Sequence, residues 1–158
     1  MLQLAEKLTK GLNNKICSKA WLGYAEVLFI GFDNHFNMMS NEEMKVYNAS
    51  FEIDTNLSQW KVYKNCKLLG SGEDERECAQ AGMNNLLGQQ VIGWKLSPKQ
   101  KRLSIEFVDG LELRIIPWLD IKSQSRVAYY LSSGDDYYLA INCNGEIKNY
   151  IKVEEVSS

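Results

Sequence analysis

The stretch from Leu103 to Ile115 constrains the fold more than any other part of the chain. Leu103, Ile105 and Phe107 alternate with non-core residues, and after Asp109-Gly110 the alternation resumes at Leu111, Leu113 and Ile115. This is the pattern of a β-hairpin with one buried face. A two-residue Asp-Gly loop would set Phe107 opposite Glu112, mixing apolar and charged side chains on one face. A three-residue loop, Val108-Asp109-Gly110 with Gly110 left-handed, instead sets Phe107 opposite Leu111, Ile105 opposite Leu113 and Leu103 opposite Ile115. The second register is the one expected.

The same alternation marks strands at residues 15–21 and 24–32, joined at Leu22-Gly23, and at 46–53, 59–63 and 67–69. It marks further strands at 91–96, 102–108, 111–116, 126–131, 137–141 and 146–153, with Asn144-Gly145 as a hairpin turn between the last two. Leu4, Ala5, Leu8 and Leu12 give a short helix ending near Gly11. A second helix is expected to open at Ser71, with Asp74 completing a capping box, and to run to about Leu86 before Gly88. Residues 33–43, with His35, Met38 and Met39, read as a surface loop. The fold class is α+β, with two short helices and a largely antiparallel β-sheet.

The halves of the chain also resemble each other. Leu12, Ile16, Leu28, Ile30 and Phe32 correspond at a constant offset of 75 to Leu87, Val91, Leu103, Ile105 and Phe107. The expectation is one compact domain of 158 residues built from two repeats, about 1–70 and 71–158, around a pseudo-twofold axis.

Charge bears on partners. The net charge of -2 is too balanced to point to nucleic acid. Residues 1–72 hold 8 Lys/Arg against 7 Asp/Glu and residues 73–158 hold 10 against 13, so an acidic partner-facing surface is expected in the second half. Cys17, Cys66, Cys78 and Cys143 form no C-x-x-C pair and read as reduced, buried thiols. No uncharged apolar run approaches the ~18 residues of a membrane span, and Glu6 and Lys7 interrupt any signal-peptide core, so a cytoplasmic protein is expected.

No catalytic constellation is evident. His35 is the single histidine and has no nucleophile or orienting carboxylate nearby in sequence. Gly70-Ser71-Gly72 lacks the residues of a phosphate loop and is followed by four carboxylates among the next five residues, so it reads as a helix cap. No catalytic residue, metal ligand or cofactor is assigned. Glu73, Asp74, Glu75 and Glu77 at the second helix start, with Asp135, Asp136, Tyr137 and Tyr138, form the candidate partner-binding set. Aromatics flanked by carboxylates suit a protein with a basic surface. Taken singly, a dipole-stabilised helix start and a polar turn account for each cluster.

At Leu86-Leu87-Gly88-Gln89-Gln90-Val91, then Leu103-Ser104-Ile105-Glu106-Phe107 and Asp109-Gly110-Leu111-Glu112-Leu113, the chain resembles small bacterial toxin-immunity proteins, including those of contact-dependent growth inhibition systems. The resemblance implies a cytoplasmic antitoxin that binds one cognate toxin domain, often a nuclease. It carries no binding residue across, because its motifs are structural. Three alternatives stand beside it: a small enzyme with scattered acidic residues, a single-strand nucleic-acid module using Trp94 and the basic run 95–102, and a homodimer paired through an exposed strand edge.

Overall fold

The computed structural model describes residues 2–97, 101–118, 126–133, 137–144 and 146–151. Its helices are α1 (Leu2–Leu12), α2 (Asn41–Val46) and α3 (Arg76–Asn84). The first-half strands are β1 (Ile16–Leu22), β2 (Leu28–Asp33), β3 (Phe51–Thr55), β4 (Ser58–Lys64) and β5 (Lys67–Ser71). The second half contributes β6 (Val91–Leu96), β7 (Leu103–Phe107), β8 (Leu111–Pro117), β9 (Val127–Ser133), β10 (Tyr137–Asn142) and β11 (Ile147–Ile151). They form two antiparallel sheets, ordered β1-β2-β3-β9-β10-β11 (sheet A) and β5-β4-β8-β7-β6 (sheet B). The class is α+β, and mostly β.

The 103–115 hairpin takes the expected register, with Leu103 opposite Ile115 and Ile105 opposite Leu113. Gly110 is left-handed (φ 76°), and so is Asp109 (φ 62°), a conformation asparagine and aspartate tolerate better than most residues.

Three expectations change. Residues 33–43 are not all loop, because α2 begins at Asn41 and Ser40 with Glu43 forms a full capping box: the Ser40 hydroxyl accepts from the Glu43 N–H and the Glu43 carboxylate accepts from the Ser40 N–H. The described residues thus hold three α-helices rather than two, and the following strand starts at Phe51, not Val46. α3 opens at Arg76, later than Ser71. Asp74 turns back to accept the Ser71 N–H at 2.9 Å, and this closes a turn ahead of the helix. Finally, Cys17 and Cys143 are buried, but Cys66 and Cys78 are exposed.

The halves correspond strand by strand. In β1–β2 Leu22 faces Leu28 and Cys17 faces Phe32; in β6–β7 Leu96 faces Leu103 and Val91 faces Phe107. Each first strand bulges at the same place, between Cys17 and Lys19 and between Val91 and Gly93. The offset is therefore 75 for β2 and β7 but 74 for β1 and β6, because the loop of the second hairpin is one residue longer. Ile16 thus corresponds to Gln90, not to Val91. These two residues bridge each other, with the Cys17 N–H donating to the Gln89 carbonyl (2.9 Å) and the Val91 N–H to the Lys15 carbonyl (2.8 Å). Phe32 and Phe107, also equivalent, stack with centroids 6.3 Å apart.

Beyond the hairpins the halves exchange strands: β3 is extended by β9 from the second half, and its counterpart β8 by β4 from the first. Trp60 of β4 and Tyr129 of β9 hold matching places, both buried. The indole Nε1–H donates to the Glu26 carbonyl and the phenol to the Lys101 carbonyl, both acceptors being left-handed residues of the hairpin loops. The apolar faces of both sheets, with Leu8 and Leu12 of α1 and Ala79 and Met83 of α3, make one continuous core.

Candidate functional site

The acidic helix start and the tyrosine pair do not meet. Arg76 donates to the carbonyls of Leu22 (2.7 Å) and Gly23 (3.0 Å), fixing the start of α3 beside the β1–β2 turn. Tyr137 opens β10 opposite Ser133, which faces Phe51, so it lies at the end of sheet A away from Leu22. Four inter-strand steps of about 4.8 Å also separate β1 from β10. Within the first cluster Glu73 accepts from Gln59 Nε2 at 2.6 Å, Asp74 closes its turn, Glu75 precedes the helix without a side-chain cap, and Glu77 lines a groove with Trp21 and Lys45. Asp135 and Asp136 lie outside the described residues, as do the side chains of Tyr137 and Tyr138.

The outer face of sheet A carries chemistry that the sequence reading missed. Phe51, Ile53 and Thr55 point to the core, so Glu52 and Asp54 point outward. Across the strands Trp21, Phe29, Asp54 and Tyr130 form one row, and Lys19, Gly31, Glu52 and Ser132 the next. Trp21 and Phe29 pack with centroids 5.1 Å apart. The Lys19 ammonium is committed, donating to the Tyr47 carbonyl at 2.8 Å and to Glu52 at 3.3 Å, and the lysine is only 5% exposed. Glu52 also accepts the Ala49 N–H at 2.9 Å.

Asp54 is different. Its Oδ1 is enclosed without a hydrogen-bond partner, and burial, with Glu52 adding repulsion against the pull of Lys19, pushes its carboxyl up to about 6. It lines a cleft of about 350 Å³ with Tyr24, Val27, Phe29, Thr55, Asn56 and Tyr130. Tyr24 is 95% exposed and is held out by a turn in which Ala25 and Glu26 are both left-handed (φ 55° and 57°), a costly conformation for residues other than glycine. The Thr55 hydroxyl is taken up by Leu28, accepting its N–H at 2.8 Å.

A second polar cluster anchors α2 to the sheet. Asp33 accepts from the Tyr47 hydroxyl, from Ser18 Oγ at 2.8 Å and from the Ser50 N–H at 2.9 Å. Burial works to raise the Asp33 carboxyl, but these donors together hold it below the usual carboxylate range. The same bond to Asp33, first, and then burial push the Tyr47 phenol up to about 12.

Sheet B presents the opposite character at corresponding positions. Lys95, Ser104, Arg114 and Lys61 form the row that matches Trp21, Phe29, Asp54 and Tyr130. There the Arg114 guanidinium lies 4.3 Å from the Tyr63 ring centroid and donates to Glu112 at 2.6 Å. Trp94 is partly buried and packs against the core, Lys95 pairs with Glu106 at 3.7 Å, and residues 98–100 of the basic run lie outside the described residues. Among the described residues no group of three His, Cys, Asp or Glu is placed to hold a metal ion. No helix among them is long and apolar enough to cross a membrane. No protein-family model, curated protein or solved structure matches the chain.

Proposed function

We propose that the chain is a stoichiometric binding protein that neutralises a bacterial toxin domain, and that the outer face of sheet A around Asp54 is its contact surface. The observation that carries the reading is the carboxyl of Asp54, which has an oxygen without a hydrogen-bond partner and lines a cleft beside the exposed ring of Tyr24. A partly buried carboxylate without a hydrogen-bonded counter-ion is unfavourable in the free protein, and a cation brought by a partner would offset that cost. Aromatic anchors around a desolvated charge are the usual centre of a tight protein interface. Glu75 and Glu77 at the α3 start are exposed and placed to steer a basic partner, as rim charges do, rather than to anchor it.

A small enzyme is supported less well. A carboxyl raised to about 6 in a cleft is a general-acid signature. Yet the cleft lining contains a single carboxylate, and its one aliphatic hydroxyl is bonded to the backbone.

The test is to use the tagged chain as bait in lysate of its own source, wash at high salt, and co-purify the chain with the toxin domain that is retained. The expected result is a one-to-one complex by light scattering and restored growth in cells expressing the toxin. No complex and no protection would overturn the reading. Reversal at Glu75 and Glu77 should slow association mainly at low salt; reversal at Asp54 should speed dissociation.

A further inference from the structure

The cleft of Tyr24, Phe29, Asp54 and Tyr130 has a definite ligand chemistry. Its volume of about 350 Å³ is at the small end for ligand sites, enough for one long side chain rather than a cofactor. An anion would meet Asp54 with Glu52 behind it. A neutral apolar group would cover the Asp54 carboxylate and leave it unpaired. A cation is the complement, and no described lysine or arginine of this chain supplies one: Lys19, the nearest on the same face, is held by Glu52 and the Tyr47 carbonyl. The groups facing Asp54 are Glu52 on its own strand, Lys19 on β1, Tyr130 on β9 and Tyr24 on the turn.

The protein displays the matching arrangement on its other sheet. Arg114, at the position of β8 that corresponds to Asp54 of β3, is held between the Tyr63 ring and the Glu112 carboxylate. Sheet A offers the Tyr24 and Phe29 rings and the Asp54 carboxylate in one cleft. A guanidinium is planar, weakly hydrated and able to stack on an aromatic ring while it forks onto a carboxylate, which a compact ammonium does not do as well.

We propose that this cleft receives an arginine side chain presented by the partner protein, stacked against Tyr24 and Phe29 with Asp54 as its counter-ion. The inference rests on the reading of this face as a contact surface, and its test is separable from the toxin. The full chain is titrated with Nα-acetyl-arginine amide at pH 7.5 and followed by NMR, alongside the citrulline, lysine and tetramethylammonium analogues. Saturable shifts at Phe29, Asp54 and Thr55 are expected with the arginine probe. They should weaken by about tenfold or more in Asp54→Asn and in Tyr24→Ala, and be absent with the neutral citrulline probe. Tyr24 is a solvent-exposed turn residue, so its variant keeps the test informative if Asp54→Asn folds poorly.

No saturable shift, equal binding of citrulline, or tighter binding of lysine or tetramethylammonium than of arginine would overturn the assignment. A toxin complex whose affinity is unchanged by both variants would overturn it while leaving the function standing. Arginine binding in a protein that captures no toxin would support the cation site and remove the function.

Discussion

Trp60 and Tyr129 are counterparts across the two sheets, each fully buried and each donating one hydrogen bond to the carbonyl of a left-handed loop residue, Glu26 at 3.0 Å and Lys101 at 2.8 Å. Each bond ties a strand of one sheet to a hairpin loop of the other while staying within its own half of the chain. Tyr129→Phe keeps the ring and deprives a carbonyl of its donor, so it should cost about 1–2 kcal/mol. Trp60→Phe also leaves a void and should cost more, about 2–4 kcal/mol. Urea unfolding of the two variants measures both, and equal stability with the parent protein would show that water replaces the lost donor.

Gly82 of α3 lies directly on Gly70 of β5. A methyl on Gly82 would come within 2.7 Å of the Gly70 Cα and 2.9 Å of the Leu69 carbonyl oxygen. Both obstacles are backbone, so the contact cannot be relieved by a side-chain rotation. Gly82→Ala should therefore destabilise by about 1–2 kcal/mol even though alanine favours a helix by up to ~1 kcal/mol. A lowered melting temperature confirms the close approach; a raised one would mean that helix propensity dominates.

Asp54 makes the fold less stable as pH rises. Its carboxyl is raised in the folded protein to about 6, so the native state holds the proton more tightly than the unfolded chain. That favourable contribution is complete below the unfolded value near 4 and is lost as pH climbs through about 6. Asp54→Asn, which cannot ionise, should gain on the order of 2 kcal/mol over the parent at pH 7.5 and match it near pH 4. Calorimetry at the two pH values reads the difference directly.

Asp33 behaves in the opposite sense. Its donors favour the charged carboxylate over the opposing effect of burial, so its contribution is present above the unfolded value and disappears as pH falls through the lowered folded one. Tyr47→Phe removes one donor while Ser18 and the Ser50 N–H remain. The variant should lose about 1 kcal/mol at neutral pH and begin acid unfolding at a higher pH than the parent protein, visible in a circular-dichroism titration.

The hairpin at 103–115 was legible because its register has a single solution that keeps one face apolar, and Leu103 does face Ile115. The correspondence of the halves was legible in Leu28, Ile30 and Phe32 against Leu103, Ile105 and Phe107, where apolar spacing is strict. It slipped by one residue at Ile16, since a loop insertion leaves binary pattern unchanged. α2 went unread because a six-residue helix has too few turns to show periodicity; the Ser40-x-x-Glu43 signal was present but preceded only Met44 as a buried residue. That omission moved the next strand upstream and put Asp54 in a loop. The site was hidden for a further reason: Phe29, Asp54 and Tyr130 become neighbours only through the pairing of β2, β3 and β9, and no local spacing encodes that.

The exchange of strands between halves also governs when the protein can fold during synthesis. Ile53 of β3 pairs with Leu131 of β9, and Val62 of β4 with Leu113 of β8. A nascent chain that has just released β3 and β4 holds two apolar strands whose second-half partners, β9 and β8, are still untranslated. At 5–20 residues per second the wait for β9 lasts roughly 4 to 16 s. During that interval β3 and β4 are open edges able to pair with a neighbouring nascent chain, so translation speed and chaperone occupancy control the yield of this fold as much as its final stability does.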